Sequence, residues 1–177
     1  QRLQRPTMWI ISLTIPFLLM MTAIRLLLTP LFARIEYSMP NFPADPYGFS
    51  HNDRLFWSEY AINYLTNSSE IICLQNLNFP DGTSLYNERE LSHMEDVKFL
   101  VKDMIISWST LLIFQFCAGF WAWRSKWPKI YIHAIGRGGW LTIGLMVAIL
   151  LGVFTGFDAL FTGFHKLFFV SRLLFLS

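Results

Sequence analysis

Three long apolar blocks dominate the pattern of hydrophobic and polar positions along this chain. They run over residues 8–28, 104–123 and 140–157. Within each block the apolar residues follow one another without the regular polar positions of a helix or strand that packs on a soluble core. Each block has the roughly 18–21 residues needed to cross a hydrocarbon core about 30 Å thick. Because lipid cannot hydrogen-bond the backbone, the pattern predicts three transmembrane helices.

The segment 35–103, between the first two blocks, has a mixed and more polar pattern. It opens with a stretch rich in proline and glycine, after which NDRLFWSEYAINYLTN predicts an amphipathic helix capped by Asn52 or Asp53. The stretch IICLQNLNFPDGTSLY predicts a strand that turns at its Pro-Asp-Gly sequence into a hairpin. From Asn87 onward we expect a helix that continues into the second span, with Asn87 and Glu90 forming a capping box.

The distribution of charge predicts how these segments are oriented across the membrane. The segment 35–103 carries eleven acidic residues against four basic ones, whereas the N-terminal tail and the segment 124–139 contain basic residues and no acidic ones. The positive-inside rule therefore predicts that 35–103 lies outside the cytoplasm and that 124–139 is a cytoplasmic loop. The net charge of +2 reflects this topology and does not indicate a nucleic-acid partner.

Composition agrees with the membrane interpretation, since 54% of the residues are apolar and only 15% are charged, against about 25% charged in a typical soluble domain. The predicted fold is a membrane all-α bundle of three or four transmembrane helices. A mixed extracytoplasmic subdomain is expected to pack on their outer ends. The first block has the length of a retained anchor, not of a cleaved signal peptide. Residues 158–177 are expected to form an extracytoplasmic loop and the start of a fourth helix.

The histidines supply the candidate chemistry. Two of the four occupy ordinary positions in the turn-rich stretch and in the basic loop: His51 and His133. His93 and His165 instead lie near the predicted outer ends of the second and third spans, and histidine suits acid–base work near neutral pH. Glu90 and Asp96 stand three residues on either side of His93 and so share its helix stripe. The alternative is an exposed helix start whose charges stabilise the cap and the dipole.

Two further features concern charge and metal. Arg25 interrupts the first span near its outer end, where a charged residue either faces a partner or cavity or extends to the headgroups. The Glu90-x-x-His93 pattern is that of carboxylate-bridged metal sites, but such sites need a second motif, so no metal is predicted. Cys73 and Cys117 have no zinc-site spacing and are predicted to be unpaired.

Two motifs, Glu90-Leu91-Ser92-His93-Met94-x-Asp96-Val97 and Phe164-His165-x-x-Phe168-Phe169, together with RLFWSEYAINYL in the outer segment, carry a resemblance. The chain resembles the lipoprotein intramolecular transacylase (Lit) family of bacterial membrane proteins, whose members continue into a fourth span. The resemblance implies a multi-pass protein of the bacterial cytoplasmic membrane with its active site at the outer leaflet. The implied partners are a diacylated lipoprotein substrate and membrane lipid, with no cofactor. No oligomeric state is indicated.

The activity implied by the resemblance is transfer of the sn-2 acyl chain of a lipoprotein's diacylglyceryl group to the α-amine of its N-terminal cysteine. This transfer gives the lyso-form lipoprotein, and His93 and His165 match the family's catalytic pair. His93 is favoured as the base, oriented by Glu90 or Asp96, while the opposite assignment and a transient acyl-imidazole stay open. Arg25 would hold a carbonyl or a developing negative charge. An acyl groove would be lined by Phe161, Phe164, Phe168 and Phe169, whose alternative role is an interfacial aromatic belt.

The competing function is a non-enzymatic membrane sensor or transporter accessory subunit with an extracytoplasmic domain. The second and third spans contain few polar residues, which argues against a conduction path. A sensor needs no such path, so composition leaves that alternative open.

Overall fold

The fold is mostly helical in the part of the chain that the structure, a computed structural model, describes: residues 4–40, 42–46, 48–79 and 81–168. The helices within these ranges are α1 (Gln4–Leu27), α2 (Pro30–Tyr37), α3 (His51–Thr66), α4 (Ile72–Gln75), α5 (Glu88–Arg124) and α6 (Pro128–Phe168). Three of them, α1, α5 and α6, are long and apolar enough to cross a membrane, with mean hydropathies of 2.1, 1.5 and 2.1 in their most apolar windows. The three predicted membrane-spanning helices are therefore confirmed.

The chain divides into two compact units. The first, called the span unit below, takes in the described residues up to Thr22 and those from Ser107 onward. The second, called the loop unit, runs from Ala23 to Ile106. The long helix α5 thus contributes its first half to the loop unit and its second half to the span unit.

Small side chains form much of the buried core of the span unit. Its buried cluster consists of Ile11, Ala118, Ala122, Trp127 and Ala134. Small residues let membrane helices approach each other closely, which matters in lipid because apolar surface gives little drive for association there. The closest approach is at Gly138, where an added Cβ would lie 2.5 Å from the Cβ of Ile15 and 2.8 Å from the carbonyl oxygen of Ser12.

Hydrogen bonds join α1, α5 and α6 within the span unit. The Gln115 side-chain amide donates to the Thr14 hydroxyl at 2.9 Å, and the Tyr131 hydroxyl donates to the backbone carbonyl of Gln115 at 2.9 Å. The Trp108 indole N–H donates to the Thr22 hydroxyl at 2.9 Å. Since the partner of Thr14 comes later in α5 than the partner of Thr22, α1 and α5 run antiparallel.

The connection between α5 and α6 is shorter than predicted, because only residues 125–127 separate the two helices. Lys126 adopts a left-handed conformation (φ 62°), and the Trp127 N–H bonds back to the carbonyl of Ala122 at 2.9 Å, as in a Schellman helix end. Pro128 then begins α6, at the position where proline is favoured. Most of the segment 124–139 that was predicted as a basic loop is therefore helical.

Helix α6 bends sharply at Gly156, whose backbone is not helical (φ −173°, ψ 63°). A Cβ added at Gly152 would lie 2.8 Å from Cδ1 of Leu160, whereas eight residues of straight helix separate two positions by about 12 Å. The segment after the bend therefore folds back toward Gly152. The bend lies next to Phe157, the predicted end of the third span. Of the segment 158–177, predicted as an extracytoplasmic loop and the start of a fourth helix, residues 158–168 belong to α6 and residues 169–177 lie outside the described residues.

The loop unit contains a helix that the sequence pattern did not predict, α2. Its N-cap is Thr29, whose hydroxyl accepts from the Phe32 N–H at 3.3 Å, and Pro30 is its first residue. The pair Thr-Pro is a regular helix-start signal that follows directly on the first span. An ion pair between Arg34 and Glu59 at 3.4 Å links α2 to α3.

The predicted helix after the turn-rich stretch is present as α3, but its cap differs. Ser50 is the N-cap, and Asp53 occupies the third helical position of a capping box with it. The Ser50 hydroxyl and backbone N–H both bond to Asp53 and lower the pKa of its carboxyl group below the ordinary value. The predicted caps, Asn52 and Asp53, therefore lie inside the helix.

The predicted strand at the start of IICLQNLNFPDGTSLY is wrong, since Ile72–Gln75 form α4 and bury Leu74 completely. A short apolar run fits either a strand or a helix, and here burial of Leu74 accompanies the helix. The chain turns at Asp81 and Gly82, where the Gly82 N–H donates to the Phe79 carbonyl at 2.9 Å, and one isolated antiparallel bridge joins Asn78 and Ser84. Among the described residues this bridge is all the β-structure, so the mixed character predicted for the subdomain is not found.

Candidate active site

His93 lies on the second turn of α5, in the loop unit, with its side chain exposed. The predicted capping box begins this helix: the Asn87 N–H donates to Glu90 Oε2 at 2.9 Å, and the Glu90 N–H donates to Asn87 Oδ1 at 3.0 Å. Burial raises the pKa of Tyr86, and the nearby Glu90 carboxylate adds to that rise. Glu90 is thus engaged at the helix start.

Asp96 lies three residues after His93 on the same stripe of α5 and is half-buried. The local structure therefore keeps both predicted carboxylates beside His93 in register along one helix. Glu90 accepts a hydrogen bond at the cap through Oε2, and the orientation of the imidazole by Glu90 or Asp96 stays a prediction.

His165 lies in the segment of α6 after the bend, in the span unit. Its ring centroid is 4.2 Å from that of Phe161 and 6.0 Å from that of Phe164, and Phe161 in turn stacks on Phe157 at 5.7 Å. Two of the four predicted acyl-groove residues therefore flank this histidine. Phe168 is the last residue of α6, and its side chain, like the whole of Phe169, lies outside the described residues.

The contact of His165 with its own helix bears on its protonation. Its Nδ1 lies 3.3 Å from the backbone carbonyl oxygen of Phe161. A carbonyl can only accept, so this contact is a hydrogen bond when Nδ1 carries the proton. The neutral ring then has its lone pair on Nε2, which can accept a proton from a substrate.

Arg25 lies in the last turn of α1 and belongs to the loop unit, as do Glu90, His93 and Asp96. Its Nη1 donates to the carbonyl of Leu28 at 3.3 Å, a contact that stabilises the end of α1 because a cation there complements the helix dipole. The side chain is half-buried. The predicted site residues thus form two groups, one in each unit: Arg25, Glu90, His93 and Asp96 in the loop unit, and Phe161, Phe164 and His165 in the span unit.

The sequence analysis did not predict two groups of residues. The first is the hydrogen-bonded set Thr14, Gln115 and Tyr131, which the amide of Gln115 inside an apolar block could have indicated. The second is a groove around Lys98 in the loop unit, which no motif marks. Among the described residues, no three of the side chains His, Cys, Asp and Glu cluster as metal ligands would.

Helices with large apolar side chains turned outward define the class of this protein. Phe116, Trp140 and Phe154 are 75%, 75% and 86% exposed, which suits lipid and not water. The chain is thus a helical membrane protein. A family model described as "Lipoprotein intramolecular transacylase Lit" matches residues 8–174, nearly the whole chain, so the protein belongs to that family.

One curated relative is similar to most of this chain. A protein of Aquifex aeolicus (strain VF5), described only as an uncharacterized protein, is 24% identical over 160 residues, which cover 90% of this chain and 71% of the relative. No solved structure matches the chain significantly. The family and its membrane character are therefore established by the family model and by the three apolar helices.

Proposed function

We propose that this chain moves the sn-2 acyl chain of a diacylglyceryl lipoprotein to the α-amine of the lipoprotein's N-terminal cysteine. The observation that carries the proposal is the match to the transacylase family over residues 8–174. The two histidines support it, since each lies on a long helix and neither is buried: His93 is exposed and His165 is half-buried.

The reaction is an isomerisation of its substrate. The neutral amine attacks the sn-2 ester carbonyl, and a tetrahedral oxyanion forms. The C–O bond to the glyceryl oxygen then breaks as the amide forms. One proton leaves the amine nitrogen and one joins the sn-2 alkoxide, so ester and amine become amide and alcohol with no other reactant.

An enzyme for this reaction needs no nucleophile of its own, because the substrate brings both reacting groups. Holding amine and carbonyl in contact supplies up to about 7–11 kcal/mol of the barrier in well-oriented cases. A positioned acid or base contributes roughly 10²–10⁴-fold. Positioning and proton transfer together are thus enough to give a large acceleration.

We assign the base to His165 and the acid to His93, which reverses the assignment favoured by the sequence. The reason is the contact between Nδ1 of His165 and the Phe161 carbonyl, which favours a lone pair on Nε2. His93, oriented by Glu90 or Asp96, would give its proton to the leaving alkoxide. Arg25 would bind the ester carbonyl or the oxyanion, in exchange for its present contact with Leu28.

The acyl chain would lie against the exposed aromatic side chains Phe161 and Phe164, each about half exposed beside His165. Because three residues join α5 to α6, the two helices are expected to cross the membrane in opposite directions. The charge pattern predicts the outer leaflet for the segment 35–103, and a three-span topology predicts the same leaflet for the chain after the third span. The lipoprotein's diacylglyceryl group is located at that depth.

The test replaces each histidine separately by glutamine. In cells that lack other N-acylating enzymes, His93→Gln and His165→Gln should each lower the rate of lipoprotein N-acylation by about 10²-fold or more, since each removes one proton-transfer group. His133→Gln, a change of the same kind at an exposed histidine in α6, is the matched control and should be fully active. Full activity of either of the first two variants at equal protein level would remove that residue from the catalytic pair.

A further inference from the structure

A second candidate site lies in the loop unit, away from the histidines. A groove of about 720 Å³ runs between one face of α5 and the chain that ends α3 and leads to α4. The α5 residues that line it are Glu95, Lys98, Phe99, Lys102, Ile105 and Ile106. They recur at intervals of three and four and so form one stripe of the helix. His93 does not line the groove, because it is about 200° away from Glu95 around the helix axis.

The charge of the side chains changes along this stripe. The carboxylate of Glu95 comes first, and the ammonium groups of Lys98 and Lys102 follow with the half-exposed Phe99 between them. The apolar side chains of Ile105 and Ile106 come last. At about 1.5 Å per residue, the stripe is roughly 16 Å long. Its apolar end coincides with the start of the second apolar block at residue 104, where the headgroup region is expected to give way to hydrocarbon.

Lys98 is held in place on the groove wall. Its ammonium nitrogen lies 4.0 Å from the centroid of the Tyr64 ring, and it donates a hydrogen bond to the carbonyl of Ser69. Tyr64 is only 2% exposed, and burial followed by the proximity of Glu95 raises the pKa of its hydroxyl. An ammonium has three N–H donors, of which Ser69 takes one. A fixed cation on the wall of an amphipathic groove is suited to binding an anionic group.

The charges of the groove point to a zwitterion and not to a simple anion. Two ammonium groups, Lys98 and Lys102, are balanced by two carboxylates, Glu70 and Glu95. A phosphate alone would leave both carboxylates without a ligand partner, and an anionic headgroup would be repelled by them. An ammonium–phosphate headgroup satisfies both signs of charge, and its order from ammonium to phosphate to acyl chain is the order of the stripe.

We propose that this groove binds one phospholipid with a primary-ammonium headgroup, of the phosphatidylethanolamine class. Its ammonium bonds to Glu95, its phosphate to Lys98 and Lys102, and an acyl chain lies along Ile105 and Ile106. The bound lipid is not consumed and is distinct from the acylated substrate. It anchors the loop unit to the headgroup layer, and this inference does not depend on the transacylase activity.

The experiment measures lipid binding to the delipidated full chain in detergent by native mass spectrometry. The probes are phosphatidylethanolamine, phosphatidylglycerol, phosphatidylcholine and inorganic phosphate. Phosphatidylethanolamine should bind about tenfold or more tightly than phosphatidylglycerol, because a hydrogen bond to a charged group contributes about 1.5–3 kcal/mol. It should also exceed phosphatidylcholine, whose quaternary ammonium has no N–H to donate.

Variants then test the individual contacts. Glu95→Gln should remove the preference for phosphatidylethanolamine over phosphatidylglycerol. Lys102→Gln should weaken the binding of both of these phospholipids about tenfold. Both side chains are exposed, so neither change opens the packed interior. The controls are Glu88→Gln and Lys129→Gln, also exposed but outside the groove, and they should bind lipid as the unaltered chain does.

Equal binding of the three phospholipids would identify a non-specific lipid shell and overturn the proposal, as would unchanged binding in both groove variants. Competition by inorganic phosphate at the same site would overturn it too, since the ligand would then be free phosphate. The comparison of lipids on the unaltered chain decides the matter even if a variant fails to fold. Loss of lipid binding with acylation intact, or the reverse, separates this inference from the proposed function.

Discussion

At the scale of single residues, the local environment of each histidine differs. His93 follows a capping box on α5 and shares a stripe with Asp96, whereas His165 is half-buried and flanked by Phe161 and Phe164 beyond the bend of α6. The first environment is polar and the second is largely aromatic.

The backbone conformation of Lys126 predicts how substitutions there change the stability of the chain. It is left-handed at the end of α5, a conformation that costs a non-glycine residue roughly 1–2 kcal/mol. Lys126→Gly should therefore raise the thermal stability of the purified chain by about 0.5–1 kcal/mol, after allowing for the greater freedom of glycine when unfolded. Unfolding followed by the fluorescence of the seven tryptophans measures it. Lys126→Val should lower stability, and a more stable valine variant would contradict the argument.

At the scale of elements, close packing of α1 against α6 is the feature most sensitive to change. Gly138→Ala places a Cβ 2.5 Å from Ile15 and 2.8 Å from a backbone oxygen that cannot move alone. It should destabilise the chain by about 1–3 kcal/mol, as overpacking does. Gly139→Ala is the matched control, since nothing lies within 4 Å of its added Cβ. Equal effects of the two substitutions on thermal unfolding would refute this packing.

The hydrogen bonds among α1, α5 and α6 allow a separate prediction. Gln115→Leu removes the donor to Thr14 and to the Ile11 carbonyl, and also a side-chain acceptor 3.3 Å from the Tyr131 hydroxyl. In lipid such bonds contribute about 0.5–2 kcal/mol each, so unfolding in detergent should occur at lower temperature. A double-mutant cycle with Tyr131→Phe should be non-additive, because the two residues share one network. Strict additivity would mean that the contact between the Tyr131 hydroxyl and the Gln115 side chain contributes nothing, since Gln115→Leu keeps the bond to the backbone carbonyl.

The long elements could be predicted from sequence because each depends on a local property. A run of about twenty apolar residues is enough to identify a spanning helix, and Asn87 with Glu90 is enough to identify a helix start. What the sequence missed depends on contacts between distant residues. The helical state of Ile72–Gln75 accompanies the burial of Leu74, and the sharpness of the bend at Gly156 is seen only from Leu160 beside Gly152.

The local geometry of the predicted site residues could be predicted to a similar extent. Helical spacing puts Asp96 three residues from His93 and Phe161 four residues from His165, and the ring contact between Phe161 and His165 is present. The assignment of these residues to a catalytic site stays a prediction. The Lys98 groove escaped notice because its wall combines α5 with the chain after α3, and no sequence pattern records such a tertiary neighbourhood.

At the scale of the whole molecule, the chain consists of a span unit with three apolar helices and a more polar loop unit, and the proposed acyl transfer takes place at the membrane surface. Three apolar helices and the transacylase family are established. The sensor alternative shares the same topology but predicts no covalent change in any lipoprotein. The two interpretations therefore differ in one observable, the position of an acyl chain on the lipoprotein.

Tandem mass spectrometry of a lipoprotein's N-terminal peptide, from cells with and without this protein, tests the proposed transfer of an acyl chain to the cysteine amine. Because the transfer is an isomerisation, the intact mass should stay the same, and the fragments must locate the acyl chain. With the protein present, one acyl chain should be found on the cysteine nitrogen and one on the glyceryl group, and the amine should resist amine-reactive labelling. Two acyl chains on the glyceryl group and a labelled free amine in both cell lines would contradict the account.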